Sequence, residues 1–375
     1  MTDQSQANRV ELERVAELQK QLAPLFERIF PRPNEPRTVV VVPSLSVDLA
    51  LIEKLTGLPH YEERLLCILL LLRLPHTRIV FVSSQPIAES IIDYYLGLLR
   101  GVPPGHARAR LTLISCHDPG QRPLTEKILG RPRLVERLRQ AIGDPREAHL
   151  SCFNVSALER TLAVRLGIPI YGCDPALNDL GSKSGSRETF RAAGIDLPDG
   201  SERLKSMHDV AAALAQLRSR NLGIKRAAIK LEEGVSGEGN AVFSFEGCPD
   251  VPDLTTWVTE ELPTRLRCES EGHDWASYSA KFAEMGGIVE AWIDGEDKVS
   301  PSFQGRINPL GHVECVSTHD QILGGPSGQV FKGCSFPAHE GYRLAIQKAG
   351  RRVGEVLRER GAIGRYGVDF VCARV

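Results

Sequence analysis

A lysine inside an apolar strand, followed at once by a glycine-rich run, is the sequence's clearest arrangement for chemistry: Ala228-Ile-Lys230-Leu-Glu-Glu-Gly234-Val-Ser-Gly237-Glu-Gly239-Asn240-Ala-Val. Glycines let successive backbone N–H groups turn toward one anion, and the lysine adds a point charge at the same end. That combination suits a polyphosphate. A hairpin with a loose turn and a solvent-facing lysine accounts for the same residues without a ligand.

Three further segments share this double character. Gly181-Ser-Lys183-Ser-Gly-Ser-Arg187 opens a helix through Phe190 to Ala193. It is not a Walker loop, because Ser182 stands where Gly-x-x-x-x-Gly-Lys-Ser has glycine. A helix start still offers N–H groups and a positive dipole end to phosphate, although an ordinary N-cap uses the same residues. In Ile288-Val-Glu290-Ala-Trp-Ile293-Asp-Gly295-Glu-Asp297 a strand runs into a turn with carboxylates on both sides. This is either a plain strand end or a hinge whose backbone reads an adenine edge while a carboxylate bonds a ribose. In Gly364-Arg-Tyr-Gly-Val-Asp369-Phe-Val a carboxylate interrupts an apolar strand. A buried Asp is costly unless it is paired or holds a metal, so a structural ion pair and a metal ligand stand level.

Other chemistry finds less support. His312-x-x-Cys315-x-x-x-His319 has superficial metal spacing, but on a strand His312 and Cys315 point to opposite faces. There is no Gly-x-Ser-x-Gly elbow, and no Ser/His/Asp set can be assembled. Ser44 and Ser46, at the end of the first strand, are candidates for ligand contact or for capping the next helix.

The elements that must position these residues fall into two textures. Thr38–Val42, Arg78–Ser83, Arg110–Cys116 and His149–Phe153 are short apolar or β-branched runs. They alternate with helical stretches at Glu62–Leu74, Ala88–Leu99, Thr125–Ile142 and Ser156–Leu166. Such alternation predicts a parallel sheet covered on both faces, with ligands at the carboxyl ends of its strands. The absence of Gly-x-Gly-x-x-Gly after the first strand argues against a dinucleotide site. Before this region, Val10–Phe30 has helical spacing with a break or kink expected at Pro24, then a stiff connector of Pro31, Pro33 and Pro36. After Tyr171, strands are expected in pairs at Ala227–Leu231, Ala241–Phe245, Gly287–Ile293 and Val299–Gln304. A long helix, Tyr342–Arg360, is closed by Gly361, and a last strand spans Gly367–Cys372. The fold class is therefore α/β followed by α+β.

Bulk properties narrow the classes. The chain of 375 residues has room for two or three domains, and 46 Lys+Arg balance 47 Asp+Glu. No basic excess marks a nucleic-acid protein. Nine single cysteines without Cys-x-x-Cys read as reduced thiols in a cytoplasmic protein, and the polar start, Met1–Asn8, has no signal core. The apolar run Leu65–Leu72 is too short to cross a bilayer and reads as a buried helix. No membrane association is expected.

Taken in order, the four segments resemble the ATP-grasp superfamily. The strings Pro43-Ser-Leu-Ser46, His60-Tyr-Glu-Glu-Arg64, Asp93-Tyr-Tyr-Leu96, Arg122-Pro-Leu-Thr-Glu-Lys127, Ile170-Tyr-Gly-Cys-Asp-Pro175, Gly181–Arg187 and Gly237-Glu-Gly-Asn-Ala241 resemble the peptide ligases of the pheganomycin type, from Arg37 to the last residue. The resemblance implies an N-terminal helix and connector (1–36), a Rossmann-like parallel-sheet pre-ATP-grasp domain (37–172), and an ATP-grasp domain (173–375) with a small lid at about 200–290.

The same resemblance implies site roles. Lys183 and Lys230 would neutralise the phosphates of ATP, and Ser236, Gly237, Gly239 and Asn240 would form the loop above them. Glu290 would meet the adenine amine, and the backbone of Trp292 and Ile293 would read the ring. Asp297, with Glu296 as a neighbouring contender, would hold the ribose. Asp369 would bind Mg2+, and Arg306 and Arg365 would stabilise an acyl phosphate. ATP and Mg2+ are the implied cofactors. The implied substrates are a small-molecule carboxylate and an amine, an amino acid or peptide on at least one side. Homodimer formation through the N-terminal region is an expectation of the same kind. The family pattern includes further metal ligands on a later strand, and the sequence ends at Val375 before one. The expectation is a C-terminally incomplete ATP-grasp domain with weak or absent ligase activity. The alternative is a catalytically impaired nucleotide-binding protein that retains the fold.

Overall fold

The computed structural model describes residues 3–46, 57–233, 239–249, 251, 253–269, 274–324 and 330–374. It divides into two compact units, Met1–Pro175 with Asn308–His312, and Ala176–Ile307 with Val313–Val375.

The first unit begins with helices α1 (Asp3–Gln19) and α2 (Leu22–Ile29). The break falls at Lys20–Gln21, ahead of the expected Pro24. Pro24 instead occupies the first turn of α2, where a missing N–H costs no intrahelical bond. The two helices belong to this unit, with Phe26 packed on His149 (ring centroids 5.3 Å apart) and Tyr171 (5.1 Å).

Then follow β1 (Arg37–Val42), the 3₁₀ helix α3 (Leu58–Arg73), β2 (Thr77–Ser83), α4 (Glu89–Gly97), α5 (Pro104–Arg108), β3 (Leu111–Ser115), α6 (Leu124–Leu129), α7 (Pro132–Ile142), β4 (Ala148–Cys152) and α8 (Ala157–Leu166). The strands form a parallel sheet ordered β3-β2-β1-β4. Alternation sorts the valines of β1. Val40 and Val42 join Val80, Val82 and Leu150 in one core, while Val39 and Val41 join Ile79, Phe81 and Leu69 in the other. In α3, Leu66, Leu69 and Leu72 recur every third residue and are fully buried, as 3₁₀ geometry stacks them. The single helix expected over Thr125–Ile142 is two, because the chain turns at Gly130–Arg131 and restarts at Pro132.

The second unit opens with α9 (Lys183–Ala192), then β5 (Gly200–Leu204), α10 (Met207–Arg220), β6 (Arg226–Leu231), β7 (Asn240–Ser244), α11 (Leu254–Arg265), β8 (Arg267–Cys268), α12 (Trp275–Met285) and β9 (Gly287–Ala291). These strands pair antiparallel in the order β5-β9-β6-β7-β8. The face bearing Ala227, Ile229, Phe243 and Val289 packs on Val210, Leu214, Leu262 and Phe282 of the helices. A second sheet, ordered β12-β11-β10-β13, is built from β10 (Glu296–Ile307), β11 (Val313–Gly324), β12 (Val330–Ser335) and β13 (Gly364–Asp369). Here α13 (Glu340–Glu359) comes before β13, and the short β14 (Cys372–Arg374) pairs with β10. Gly361 follows α13 with φ +86, the left-handed ending expected of it. β11 and β12 were not anticipated, and the expected last strand is two pieces separated at Phe370–Val371.

Candidate active site

Strand parity separates core from site in the smaller sheet of the second unit. Ala228 pairs with Glu290 and Lys230 with both Ile288 and Asn240, so these residues share the face opposite the core. Lys230 stands one diagonal step from Glu290, and its Nζ donates to Glu290 Oε1. The other carboxylate oxygen, Oε2, accepts from Arg187 Nη1 at 3.1 Å. Arg187, whose side chain is only 6% exposed, also donates from Nε to Glu202 Oε1 at 2.7 Å and from Nη2 to the Pro198 carbonyl at 2.8 Å. Tyr278, buried on α12, donates its hydroxyl to the carbonyls of Ile229 (3.0 Å) and Gly239 (3.1 Å), pinning the far end of the glycine segment. Ser236 and Gly237 lie outside the described residues.

Helix α9 is capped by Ser182, whose Oγ accepts the Gly185 N–H at 3.0 Å. The Ser184 N–H goes to Glu232 Oε1 (2.6 Å), the Ser184 hydroxyl to Glu232 Oε2 (2.7 Å), and the Lys183 N–H to the Glu232 carbonyl (3.2 Å). Of the two readings of this helix start, the ordinary N-cap is the one present, since Ser182 Oγ and the carboxylate and carbonyl of Glu232 take its N–H groups. The Lys183 side chain is half-buried. Burial, and next the Lys230 ammonium, hold it below the usual lysine range, while Glu290, Glu232 and Asp369 pull it back up.

On the larger sheet Ser302 pairs with Asp369, Gln304 with Gly367 and Arg306 with Arg365. These side chains share one face. The opposite face turns Phe303, Tyr366 and Val368 toward α13, tightly enough that a Cβ on Gly350 would lie 2.1 Å from the Phe303 ring. Arg306 donates from Nε to Glu314 Oε2 at 2.9 Å, and Arg365 faces it across the strands. Asp369 is exposed, so the expected burial cost does not arise; it sits on the polar face at the strand's end.

The segment after β9 is ordered by cations. The strand ends at Ala291, two residues earlier than expected. The Trp292 N–H donates to the Arg226 carbonyl at 3.2 Å, and its ring lies between the Arg226 guanidinium (4.8 Å) and Lys298 Nζ (4.7 Å). Ile293 and Asp294 follow, and Asp294 pairs with Arg226 at 2.5 Å. Asp297 has φ +50, a left-handed backbone beside the register shift between Glu296 and Val299.

In the first unit, the serines at the strand ends serve the fold. Ser44 Oγ accepts the Thr125 N–H of α6 at 3.1 Å, and Ser46 Oγ donates to Glu159 at 2.6 Å. Ser84 donates to Glu62 through both N–H and hydroxyl, and accepts from the buried Lys127 ammonium at 2.8 Å. Burial pushes the Glu62 carboxyl up and the Lys127 ammonium down. Among the described residues no three His, Cys, Asp or Glu side chains gather as a metal cluster, and no helix is long and apolar enough to cross a membrane.

Two groups escaped the sequence reading. Arg187 lies four residues after Lys183 and so on the same helix face, a signal available from spacing. Glu232 offered none, because its partner Ser184 is distant in sequence.

An IQCH-like ATP-grasp family model matches residues 175–248 and 254–373. The L-propargylglycine–L-glutamate ligase of Streptantibioticus cattleyicolor is 34% identical over 343 residues, spanning 90% of this chain and 68% of that protein. The IQ motif-containing protein H of Danio rerio is 25% identical over 378 residues, spanning 89% of this chain and 36% of that protein. Two solved structures share the fold. One is the biotin carboxylase domain of 2-oxoglutarate carboxylase from Hydrogenobacter thermophilus, in complex with MgADP, ADP and bicarbonate (TM-score 0.50, 14% identity, 90% of this chain and 61% of that one). The other is the biotin carboxylase–β-γ-ATP complex from Campylobacter jejuni (TM-score 0.50, 14% identity, 91% and 63%). The chain belongs to the IQCH-like ATP-grasp family.

Proposed function

We propose that the chain binds Mg·ATP and acts as an ATP-dependent carboxylate–amine ligase, joining amino acids or peptides through an acyl phosphate. The observation that carries this reading is that Lys230 on β6 bonds Glu290 on β9, while the start of α9 that bears Lys183 is bonded to Glu232, directly after the same β6. The charges that act on Lys183 include Lys230, Glu290 and Asp369. Two ammonium groups beside a polar sheet face suit a triphosphate. The bacterial ligase at 34% identity joins two amino acids by name, which supports amino-acid substrates.

The donor set fits magnesium in the mode that uses one or two carboxylates and completes its shell with phosphate oxygens and water. Asp369 would hold that ion, which when bound would offset charge on the β- and γ-phosphates. Lys183 and Lys230 bind the phosphate oxygens, and Glu290 orients the adenine. The substrate carboxylate oxygen attacks the γ-phosphorus, the bond to the bridging oxygen breaks, and ADP leaves. The amine nitrogen then attacks the acyl carbon, phosphate departs, and the nitrogen loses a proton. Arg306 and Arg365 face this step as cations for the departing phosphate. Positioning and charge stabilisation dominate such chemistry.

The test is ADP release by the chain with ATP, Mg2+ and pairs of amino acids or dipeptides. The expected result is release that requires both partners and yields an amide, at a rate held low where Asp369 is the sole metal carboxylate. ATP-dependent thermal stabilisation without release on any pair would leave a nucleotide-binding protein and overturn the ligase reading.

A further inference from the structure

We propose that Arg187 is the positioning residue of the nucleotide site, locking the Glu290 carboxylate in one orientation as the acceptor for the adenine amino group. The inference rests on the ATP-binding reading above.

Three nitrogens of one planar guanidinium reach three segments: Glu202 on β5, the Pro198 carbonyl before it, and Glu290 on β9. A guanidinium holds its donors in a fixed fork, so these contacts set where the Glu290 carboxylate lies and how it is turned. Glu202 and Glu290 are themselves largely buried, with side chains 17% and 13% exposed. Arg187 is the cation they share. Glu290 spends one oxygen on Lys230 and the other on Arg187, yet a carboxylate has about four acceptor positions, so room is left for an N–H donor.

The two cations on Glu290 differ in what they can do. Lys230 sits on a flexible four-carbon stem, and an arriving phosphate competes for it. Arg187 is held by Glu202 and Pro198 as well, and stays. Once phosphate draws Lys230 away, Arg187 remains bonded to the Glu290 carboxylate. An ionised carboxylate accepts hydrogen bonds only. It therefore favours adenine, which presents an amino group, over guanine, which presents a carbonyl at the same position.

The test is displacement of a fluorescent nucleotide by ATP, GTP and inorganic tripolyphosphate, on wild type, Arg187→Met and Arg187→Lys, with melting temperatures recorded for each. In wild type ATP binds more tightly than GTP or tripolyphosphate. Arg187→Met loses about tenfold or more in ATP affinity while tripolyphosphate binding holds and the preference over GTP collapses. Arg187→Lys, which keeps charge but not the fork, recovers part of both and decides the matter if Arg187→Met does not fold. Equal weakening of ATP and tripolyphosphate, or an unchanged preference for ATP over GTP, overturns the role of Arg187. Wild type binding tripolyphosphate as tightly as ATP would instead overturn the nucleotide reading itself.

Discussion

Lys230 and Glu290 stand one diagonal step apart on adjacent antiparallel strands, and the lysine's ammonium is bonded to the glutamate's carboxylate. The proposed phosphate-binding lysine and the proposed adenine acceptor are thus partners in this structure. A triphosphate must offer Lys230 more than Glu290 does, and the incoming charge of ATP can do so while Arg187 remains on the carboxylate.

Lys230→Ala should therefore cripple turnover more than it harms the fold. Removal of one well-aimed charge at a reacting phosphate costs about 10²–10³ in rate. Glu290 keeps Arg187 as counter-charge, so the protein should still fold cooperatively. ADP release at the wild-type rate in the variant would contradict the assignment.

Lys183 gives a pH signature. Its folded pKa is lowered, chiefly by burial, so between that value and the unfolded value of about 10.4 the unfolded chain holds a proton that the folded chain lacks. Stability contributed by this group therefore rises with pH across that window. Phosphate favours the charged form, so Mg·ATP binding should take up a proton there, and affinity should fall as pH climbs through it. Calorimetry in two buffers of different ionisation heat should show the uptake in wild type and its loss in Lys183→Met.

Asp369 is exposed at the end of β13, so Asp369→Asn should change stability by no more than about 0.5 kcal/mol. The same change should abolish the gain in ATP affinity that Mg2+ brings. Displacement titrations with and without Mg2+ measure both limbs, and a retained gain would remove Asp369 from the metal site.

His149 makes the first unit sensitive to acid. Full burial, and then the nearby Arg37 charge, lower its folded pKa to about 4, below the unfolded value of about 6.5. As pH falls from 6.5 toward 4 the unfolded chain gains a proton that the folded chain refuses, so stability falls. The loss is about 2 kcal/mol between pH 7 and pH 5. Among the described residues its Nδ1 has no hydrogen-bond partner, and its ring packs on Phe26 and Tyr171. His149→Phe should flatten this part of the pH dependence in urea titrations.

What the sequence made legible follows the strength of the local signal. The parallel sheet was readable because Val39–Val42 and Ile79–Val82 are continuous apolar runs that must be covered on both faces. Lys230 stood out because a charge within Ala228–Leu231 breaks such a run. β11 was hidden because Glu314, Ser317, Thr318, His319 and Asp320 give it no apolar alternation; its pairing with β10 holds it as a strand. Asp369 was misplaced for the reverse reason, since an acid among apolar residues suggests burial when its strand has one open face. Helix α9 showed its cap, but not that Glu232 would occupy the N–H groups beyond it, because that contact exists only once β6 and α9 meet.

The central claim is that Lys183 and Lys230 serve one polyphosphate. A double-mutant cycle with Lys183→Met, Lys230→Met and the double variant, read as Mg·ATP affinity, tests it most directly. Residues that share a ligand couple by about 0.5–3 kcal/mol. Each single change should weaken binding, and the double variant should depart from additivity by an amount in that range. Unchanged affinity in either single variant, or strict additivity, would place the two lysines on separate tasks and contradict the account.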